Sequence, residues 1–408
     1  MAEIVSCRAC GRQHLKPFLS LGDLPLSDGF IAEADLGDPE PRFPLDVAFC
    51  EDCTLVQILK TVPPEELFGN DYPYFSSFTD ALVAHARANV EARIAERGLG
   101  ASSFVVELAS NDGYLLQHYQ NAGIPLLGID PAPGPVEAAR KKGIDTRLAF
   151  FGLSVAEELA ASGRRADVIH GNNVLAHVAD TNGFVQGIAT LLKDDGVAVI
   201  EAPYVRDLID HGEFDTIYHE HLCYFSATAL KALFLRHGLY FNRVERLPIH
   251  GGSLRIFVEK IDRPDASITD LLAEERALGL DKFGYYADFA ARVEKIKADL
   301  RAMLLELKAE GKRIVGYGAA AKGTVLLNYA GIGPDLLDYV VDRNTFKQGR
   351  WIPGVRLPIK APSVIEETRP DYLLILPWNF KDEIMSQQAA HAARGGKFIL
   401  PIPTPVIV

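Results

Sequence analysis

Between residues 104 and 200 short apolar runs alternate with longer stretches whose apolar positions recur at helical spacing. The runs 104–108, 125–129, 144–148, 167–170 and 197–200 read as strands, and 114–122, 135–142, 155–161 and 182–192 read as the helices between them. That alternation predicts a parallel sheet with helical crossovers, introduced by a helix over 80–97. Two further apolar stretches, 240–247 and 254–259, read as an antiparallel pair turning at 250–253. From 267 to about 310 the apolar positions keep a helical period and predict connecting helices. A second α/β pattern starts at 313–318 and continues through 339–342 and 372–376. The expected organisation is a small N-terminal module over 1–67, an α/β domain over 68–265, connecting helices over 266–310 and a C-terminal Rossmann-like domain over 311–408.

Composition narrows the class. A chain of 408 residues, 48% of them hydrophobic, can supply several cores. Its net charge of -12 and its lack of a Lys/Arg block exclude a nucleic-acid partner. The apolar runs 197–200 and 372–376 fall far short of the roughly 20 residues a bilayer requires, and residues 1–6 lack the basic and apolar regions of a secretory signal. The expectation is a cytoplasmic protein, monomeric or a small homo-oligomer.

The five cysteines do not form a disulfide framework. Four of them make two C-x2-C turns, Cys7 with Cys10 and Cys50 with Cys53, which is ligand spacing for one tetrahedral zinc ion. Four thiolates leave no position open for water, so the expected role of the metal is structural.

Ligands of open parallel sheets sit beyond the C-terminal strand ends. Glu107, Ser110, Asn111, Asp112 and Gly113 follow the first strand, and Asp130 ends the second, where a carboxylate can accept both ribose hydroxyls. The loop is not a G-x-G-x-x-G fingerprint, and its acids would oppose a pyrophosphate. S-adenosylmethionine therefore suits it better than NAD. Asn172 and Asn173 follow the fourth strand, where they could face adenine or cap the next helix. His177 comes close behind them.

The densest chemistry lies at 215–226, D-T-I-Y-H-E-H-L-C-Y-F-S. Tyr218, Glu220 and His221 are too close together to share one helix face, which predicts a loop. An imidazole there can act as a base near neutral pH. His219 is expected to face away, and Cys223 to be a small buried residue. Farther on, G-Y-G-A-A-A-K-G at 316–323 resembles a phosphate loop without Walker spacing, with Lys322 as a phosphate-binding charge and Tyr317 and Asn344 as weaker substrate contacts.

Taken together, the paired C-x2-C turns, E-L-A-S-N-D-G-Y at 107–114, H-G-N-N-V-L-A-H at 170–177, Y-H-E-H at 218–221 and G-Y-G-A-A-A-K-G at 316–323 resemble the sugar C-methyltransferases that act on nucleotide-linked keto-deoxysugars. The resemblance spans essentially the whole chain. It implies a zinc-binding N-terminal domain, a Rossmann-like class I methyltransferase domain that uses S-adenosylmethionine, and a C-terminal Rossmann-like domain that helps hold the nucleotide sugar. The implied reaction is methylation at C3 of a dTDP-linked 4-keto-2,6-dideoxy sugar. Tyr72 or Tyr74, His177, Tyr218, Glu220 and His221 match the family's active-site region, with His221 preferred as base. Taken alone, the C-terminal fold would also suit an NAD-dependent nucleotide-sugar oxidoreductase or epimerase, or a non-enzymatic nucleotide-sugar binding protein.

Overall fold

The computed structural model describes residues 5–63, 67 and 75–408. Among these residues the strands form three sheets. The first begins with β1 (Leu15–Pro25), β2 (Arg42–Cys50) and β3 (Val56–Ile58), paired antiparallel in that order. The two C-x2-C turns sit beside this small sheet, the second at the junction of β2 and β3.

The central unit contributes β4 (Val105–Leu108), β5 (Leu126–Asp130), β6 (Thr146–Leu148), β7 (Ala166–Asn172), β8 (Leu192–Pro203), β9 (Cys223–Tyr224), β10 (Tyr240–Leu247) and β11 (Ser253–Glu259). Seven of these form one sheet in the order β10-β11-β8-β7-β4-β5-β6, parallel from β8 to β6 and antiparallel at the β10–β11 edge. Every residue of β4 is buried, as a middle strand covered on both faces must be, and its sequence is correspondingly a near-continuous apolar run. β8 starts five residues before the predicted 197–200 run. Near its start Lys193, Asp194 and Asp195 are polar and exposed or half-buried, so the hydrophobic signal sees only the residues beyond them.

β9 departs from the expected topology. It pairs with β3 and becomes the fourth strand of the N-terminal sheet.

Two helices, Ala266–Leu278 and Phe289–Ala309, occupy the predicted connecting region. The second buries Phe289, Val293, Ile296, Leu300, Leu304 and Leu307 along one stripe. A six-stranded sheet follows, made of β12 (Ile314–Tyr317), β13 (Val340–Val341), β14 (Ile359–Lys360), β15 (Tyr372–Ile375), β16 (Lys397–Leu400) and β17 (Val406–Ile407), in the order β14-β13-β12-β15-β16-β17 with only β17 antiparallel. One buried apolar cluster runs without a break from Leu19 and Leu45 through Leu230 and Leu300 to Leu326 and Ile399. The three sheets therefore share a common core.

Candidate active site

A cavity of about 670 Å³ opens where the C-terminal ends of β4, β5 and β7 face the loops of the C-terminal sheet. Asn111, Asp130, Asn172, Asn173, His177, Tyr218, Glu220, His221 and Lys322 all line it, so residues more than 200 positions apart in sequence meet in one space. The predicted Tyr72 and Tyr74 lie outside the described residues.

On the central-sheet side the backbone is held in an uncommon conformation. Ala109, Asn111 and Asn173 all have positive φ, at 56°, 49° and 53°. For non-glycine residues such angles cost about 1–3 kcal/mol and persist only where surrounding bonds enforce them. The enforcing bonds are present. Asp130 accepts the Asn111 and Ala132 amides through its two oxygens at 2.8 Å each, and the Asn173 amide donates to the Glu201 carbonyl at 2.8 Å. Asn111 Oδ1 accepts the Ser76 amide at 2.9 Å, which ties the loop to the turn before helix Asp80–Arg97. Burial lifts the Asp130 carboxyl to about 6, against the pull of its two amides.

Several expected cofactor residues stand behind this wall. Glu107 is fully buried on β4, Ser110 fills the space above Gly128, and Asp112 accepts the Ser77 hydroxyl and the Lys142 ammonium, the latter at 3.2 Å. Gly113, with φ +78° and the Ile144 methyl only 2.3 Å from where a Cβ would stand, is a packing requirement of the protein interior. Asn172 and Asn173 are not helix caps, because Asp180 caps helix Thr181–Leu191 through the Gly183 amide. Asn172 instead donates to the Tyr114 hydroxyl at 3.3 Å.

Among the described residues both Glu107 oxygens, Asp112 Oδ1, Asn172 Oδ1 and Asn173 Oδ1 are buried without a hydrogen-bond partner. Of these, only Asn172 and Asn173 line the cavity, and their unspent oxygens, beside the Asp130 carboxyl, suit a cationic ligand such as S-adenosylmethionine better than a phosphate.

The Y-H-E-H segment forms a turn in which the His221 amide donates to the Tyr218 carbonyl at 2.9 Å. The turn sends Tyr218, Glu220 and His221 to the cavity and His219 the other way. Tyr218 and His221 stack with centroids 3.9 Å apart, and the phenol meets His221 Nε2 at 2.8 Å. His221 Nδ1 lies 2.8 Å from the Thr216 carbonyl. A carbonyl can only accept, so Nδ1 carries the proton and Nε2 is the basic nitrogen. His177 approaches edge-on at 4.7 Å, and burial holds it neutral with its pKa down at about 4. His219 points away, as expected, and reaches the Phe43 carbonyl at 3.1 Å. Cys223 is a buried thiol whose pKa burial pushes up to about 12.

The opposite wall carries two lysine–acid groups. Lys322 Nζ bonds Asn379 at 2.9 Å and sits 4.4 Å over the Trp378 ring, with Glu213 and Asp215 as its electrostatic partners. Burial lifts those carboxyls to about 8 and about 6. Lys347 Nζ bonds the Ala319 carbonyl at 2.7 Å and lies 3.9 Å from Asp28, while burial and the Asp28 charge push the Glu220 carboxyl well up. Sequence reasoning missed Glu213, Asp28 and Lys347. Lys347 alone had a local signal, lying just past the strand end at 342–344.

Tyr317 and Asn344 do not reach this cavity. The Tyr317 ring is buried in the C-terminal core with its hydroxyl on Gln387, and Asn344 Oδ1 accepts the Phe346 amide at 3.0 Å to close a local turn. The loop glycines serve packing as well. Gly318 has φ +89° against Pro377, and Gly323 lies against Leu376, an arrangement that brings helix Ala321–Ala330 and Lys322 up to the cavity.

The four predicted metal cysteines form one cluster, with all sulfurs within 4.8 Å of one another and the Cys7–Cys53 and Cys10–Cys50 pairs at 3.5 Å. A tetrahedral zinc thiolate site needs edges of about 3.8 Å, so the sulfurs fit the ion with little movement. The Cys53 thiol lowers Cys7 to about 5, whereas burial lifts Cys50 to about 12. Four such sulfurs ionise together only around a cation.

Three family models match in sequence order: a zinc binding domain over residues 7–68, a methyltransferase domain over 82–242 and a C-methyltransferase C-terminal domain over 248–403. The chain is 35% identical over 410 residues to C-methyltransferase NovU of Streptomyces niveus, an alignment that covers 99% of this chain and 97% of that one. A ubiquinone biosynthesis O-methyltransferase of Azorhizobium caulinodans matches over 30% of the chain and 47% of its own length, at 26% identity. Among solved structures, the magnesium protoporphyrin IX methyltransferase of Synechocystis PCC 6803 is 15% identical with a TM-score of 0.34, over 48% of this chain and 88% of that one.

Proposed function

The chain belongs to the C-methyltransferase family of NovU and is a methyltransferase that uses S-adenosylmethionine, with a zinc-binding N-terminal module. From that premise we propose that its substrate is a nucleotide-linked keto-deoxysugar, methylated at C3 of a dTDP-4-keto-2,6-dideoxy sugar. The observation that carries the proposal is the polarity of one cavity, with unspent acceptors on one wall, two lysines on the other, and the Tyr218–His221 pair between them.

A carbon beside a ketone becomes nucleophilic only after losing a proton, and the charge then spreads to the carbonyl oxygen. The site needs a base and a donor to that oxygen. With Nδ1–H fixed on Thr216, His221 presents Nε2 as the base. The Tyr218 hydroxyl rests on that nitrogen, and turned onto a ketone oxygen it stabilises the enolate and leaves Nε2 open to the C3 proton. Glu220, whose carboxyl burial and the Asp28 charge push well up, is assigned as a second contact to sugar oxygens, and neutral His177 closes the pocket beside the imidazole. S-adenosylmethionine, when bound, supplies an electrophilic methyl group. Asp130 is assigned to its ribose and the loop at 107–113 to its amino-acid end, while Asn172 and Asn173 border the adenosine. Lys322 is assigned to the diphosphate. Tyr72 or Tyr74 remains proposed as an aromatic contact to the sugar. Cysteines gathered into a metal cluster rather than disulfides suit the reducing cytoplasm, where we place the protein.

The test is solvent deuterium exchange at C3 of a dTDP-4-keto sugar in the presence of S-adenosylhomocysteine, followed by methyl transfer with the active cofactor. Exchange in the parent protein, its loss in folded His221→Ala and a mass gain of one methylene in the parent product are expected. Reduction of NAD with the same sugar and no mass gain would overturn the assignment.

A further inference from the structure

The catalytic turn is gripped by the cysteine module. β9, which follows the turn, lies in the N-terminal sheet, with Val56 opposite Tyr224 and Gln57 opposite Cys223. The Ile58 amide donates to the Leu222 carbonyl at 3.1 Å. Inside the turn His219 sends Nε2 to the Phe43 carbonyl at 3.1 Å, its ring edge-on to Phe43 at 5.8 Å. Phe43 lies near the start of β2, the strand that ends at Cys50, and β3 begins three residues after Cys53. The two strands that hold the turn are therefore the two strands that flank the second ligand pair.

Among the described residues Nδ1 of His219 is buried without a hydrogen-bond partner, so the polar contacts of the ring are to the backbone of Phe43 and Pro44 on β2. Burial keeps the ring neutral, so a single Nε2–H donor is its contribution. On the other side the turn meets the central unit through the Leu222 amide, which donates to the Ala176 carbonyl at 2.7 Å beside His177. The turn is thus suspended between the cysteine module and the methyltransferase sheet. A shift of the module relative to the sheet moves Glu220 and His221 relative to bound substrate.

We propose that His219 is a positioning residue, and that its bond to Phe43 together with the β3–β9 pairing makes the metal-ordered N-terminal module one arm of the active site. The proposal rests on the reading that His221 and Tyr218 perform the enolisation. Without the His219 bond the turn keeps its chemistry and loses its placement, and misplacement by about 1 Å costs on the order of 10–100-fold in rate.

The experiment compares His219→Phe, which keeps a ring and removes the donor, with His219→Gln, which keeps a donor, and with His221→Ala as benchmark. C3 deuterium exchange should fall about 10–100-fold in His219→Phe through kcat, with the sugar KM and the affinity for S-adenosylhomocysteine within about threefold of the parent, and His219→Gln should recover most of the rate. A second readout uses no catalysis. Stripping the metal from the full chain with a chelator should raise amide exchange over residues 216–224, while peptides from β4 and β5 keep their protection. Parent-rate exchange in His219→Phe with an inactive His221→Ala would overturn the positioning role and leave the reading of the site intact. Retained exchange in His221→Ala would instead overturn that reading. Unchanged protection at 216–224 after metal removal would refute the linkage to the module.

Discussion

The two walls of the cavity are built from the same architectural part, the C-terminal ends of parallel strands, yet they carry opposite electrostatics. The central-sheet wall offers Asn111, Asp130, Asn172 and Asn173 and no cation among its described lining residues. The C-terminal wall brings Lys322 and Lys347, each set beside buried carboxyls. A strand-end crevice is therefore a general place to bind, and the side chains grafted onto it decide the sign of the ligand. One wall suits a sulfonium cofactor and the other a diphosphate, with Tyr218 and His221 where the two meet.

The comparison breaks most visibly if each wall is disabled in turn. Lys322→Met should raise the KM for a dTDP-keto sugar by roughly 10–100-fold, the equivalent of one charge-assisted hydrogen bond, while calorimetry finds the affinity for S-adenosylhomocysteine unchanged. Asp130→Ala should do the reverse, weakening S-adenosylhomocysteine by about tenfold with little change in sugar KM. If either variant damages both ligands equally, the two walls are not separate sites.

A smaller effect should appear in the pH dependence of stability. The Glu213 carboxyl is lifted by burial to about 8, whereas an exposed glutamate titrates near roughly 4.3. Between those values the folded chain holds a proton that the unfolded chain has released, so stability falls as pH rises and the loss is complete above the folded value. Glu213→Gln should flatten that decline by on the order of 1–3 kcal/mol between roughly pH 5 and 8, measured by denaturant melts. An identical slope in parent and variant would assign the decline to other groups.

The smallest effect concerns backbone. Asn173 holds φ at 53° beside the cavity. Asn173→Gly should change stability by under about 0.5 kcal/mol, whereas Asn173→Val should cost about 1–2 kcal/mol, because a branched side chain resists the left-handed region. Equal melting of the two variants would show that the strain is relaxed in solution.

Legibility in the sequence followed the range of the interactions. Each predicted central strand and helix overlaps an observed one, because apolar periodicity is a local consequence of burying one face or both. The C-x2-C pairs were equally legible, since ligand spacing is set by the geometry of a short turn around one ion. The Y-H-E-H segment stood out through its density of titratable side chains, and its spacing favoured the turn that the structure shows. Tyr317 and Asn344 were misplaced for the same reason that the cysteines were easy. A strand end and a polar loop look like ligand contacts locally, but the inward face of β12 and the turn at Phe346 claimed those side chains.

The sequence by itself determined the strand and helix pattern, the metal ligands and the residue types able to move a proton. Only the tertiary structure decided which of those residues share a space. Asp28, Glu220 and Lys347 come from three parts of the chain, and no periodicity links them; they come within electrostatic reach of one another because the three sheets pack on one core. The placement of β9 was decided the same way. A two-residue strand has too little pattern to choose a sheet, so backbone hydrogen bonds to β3 made the choice and joined the cysteine module to the catalytic turn.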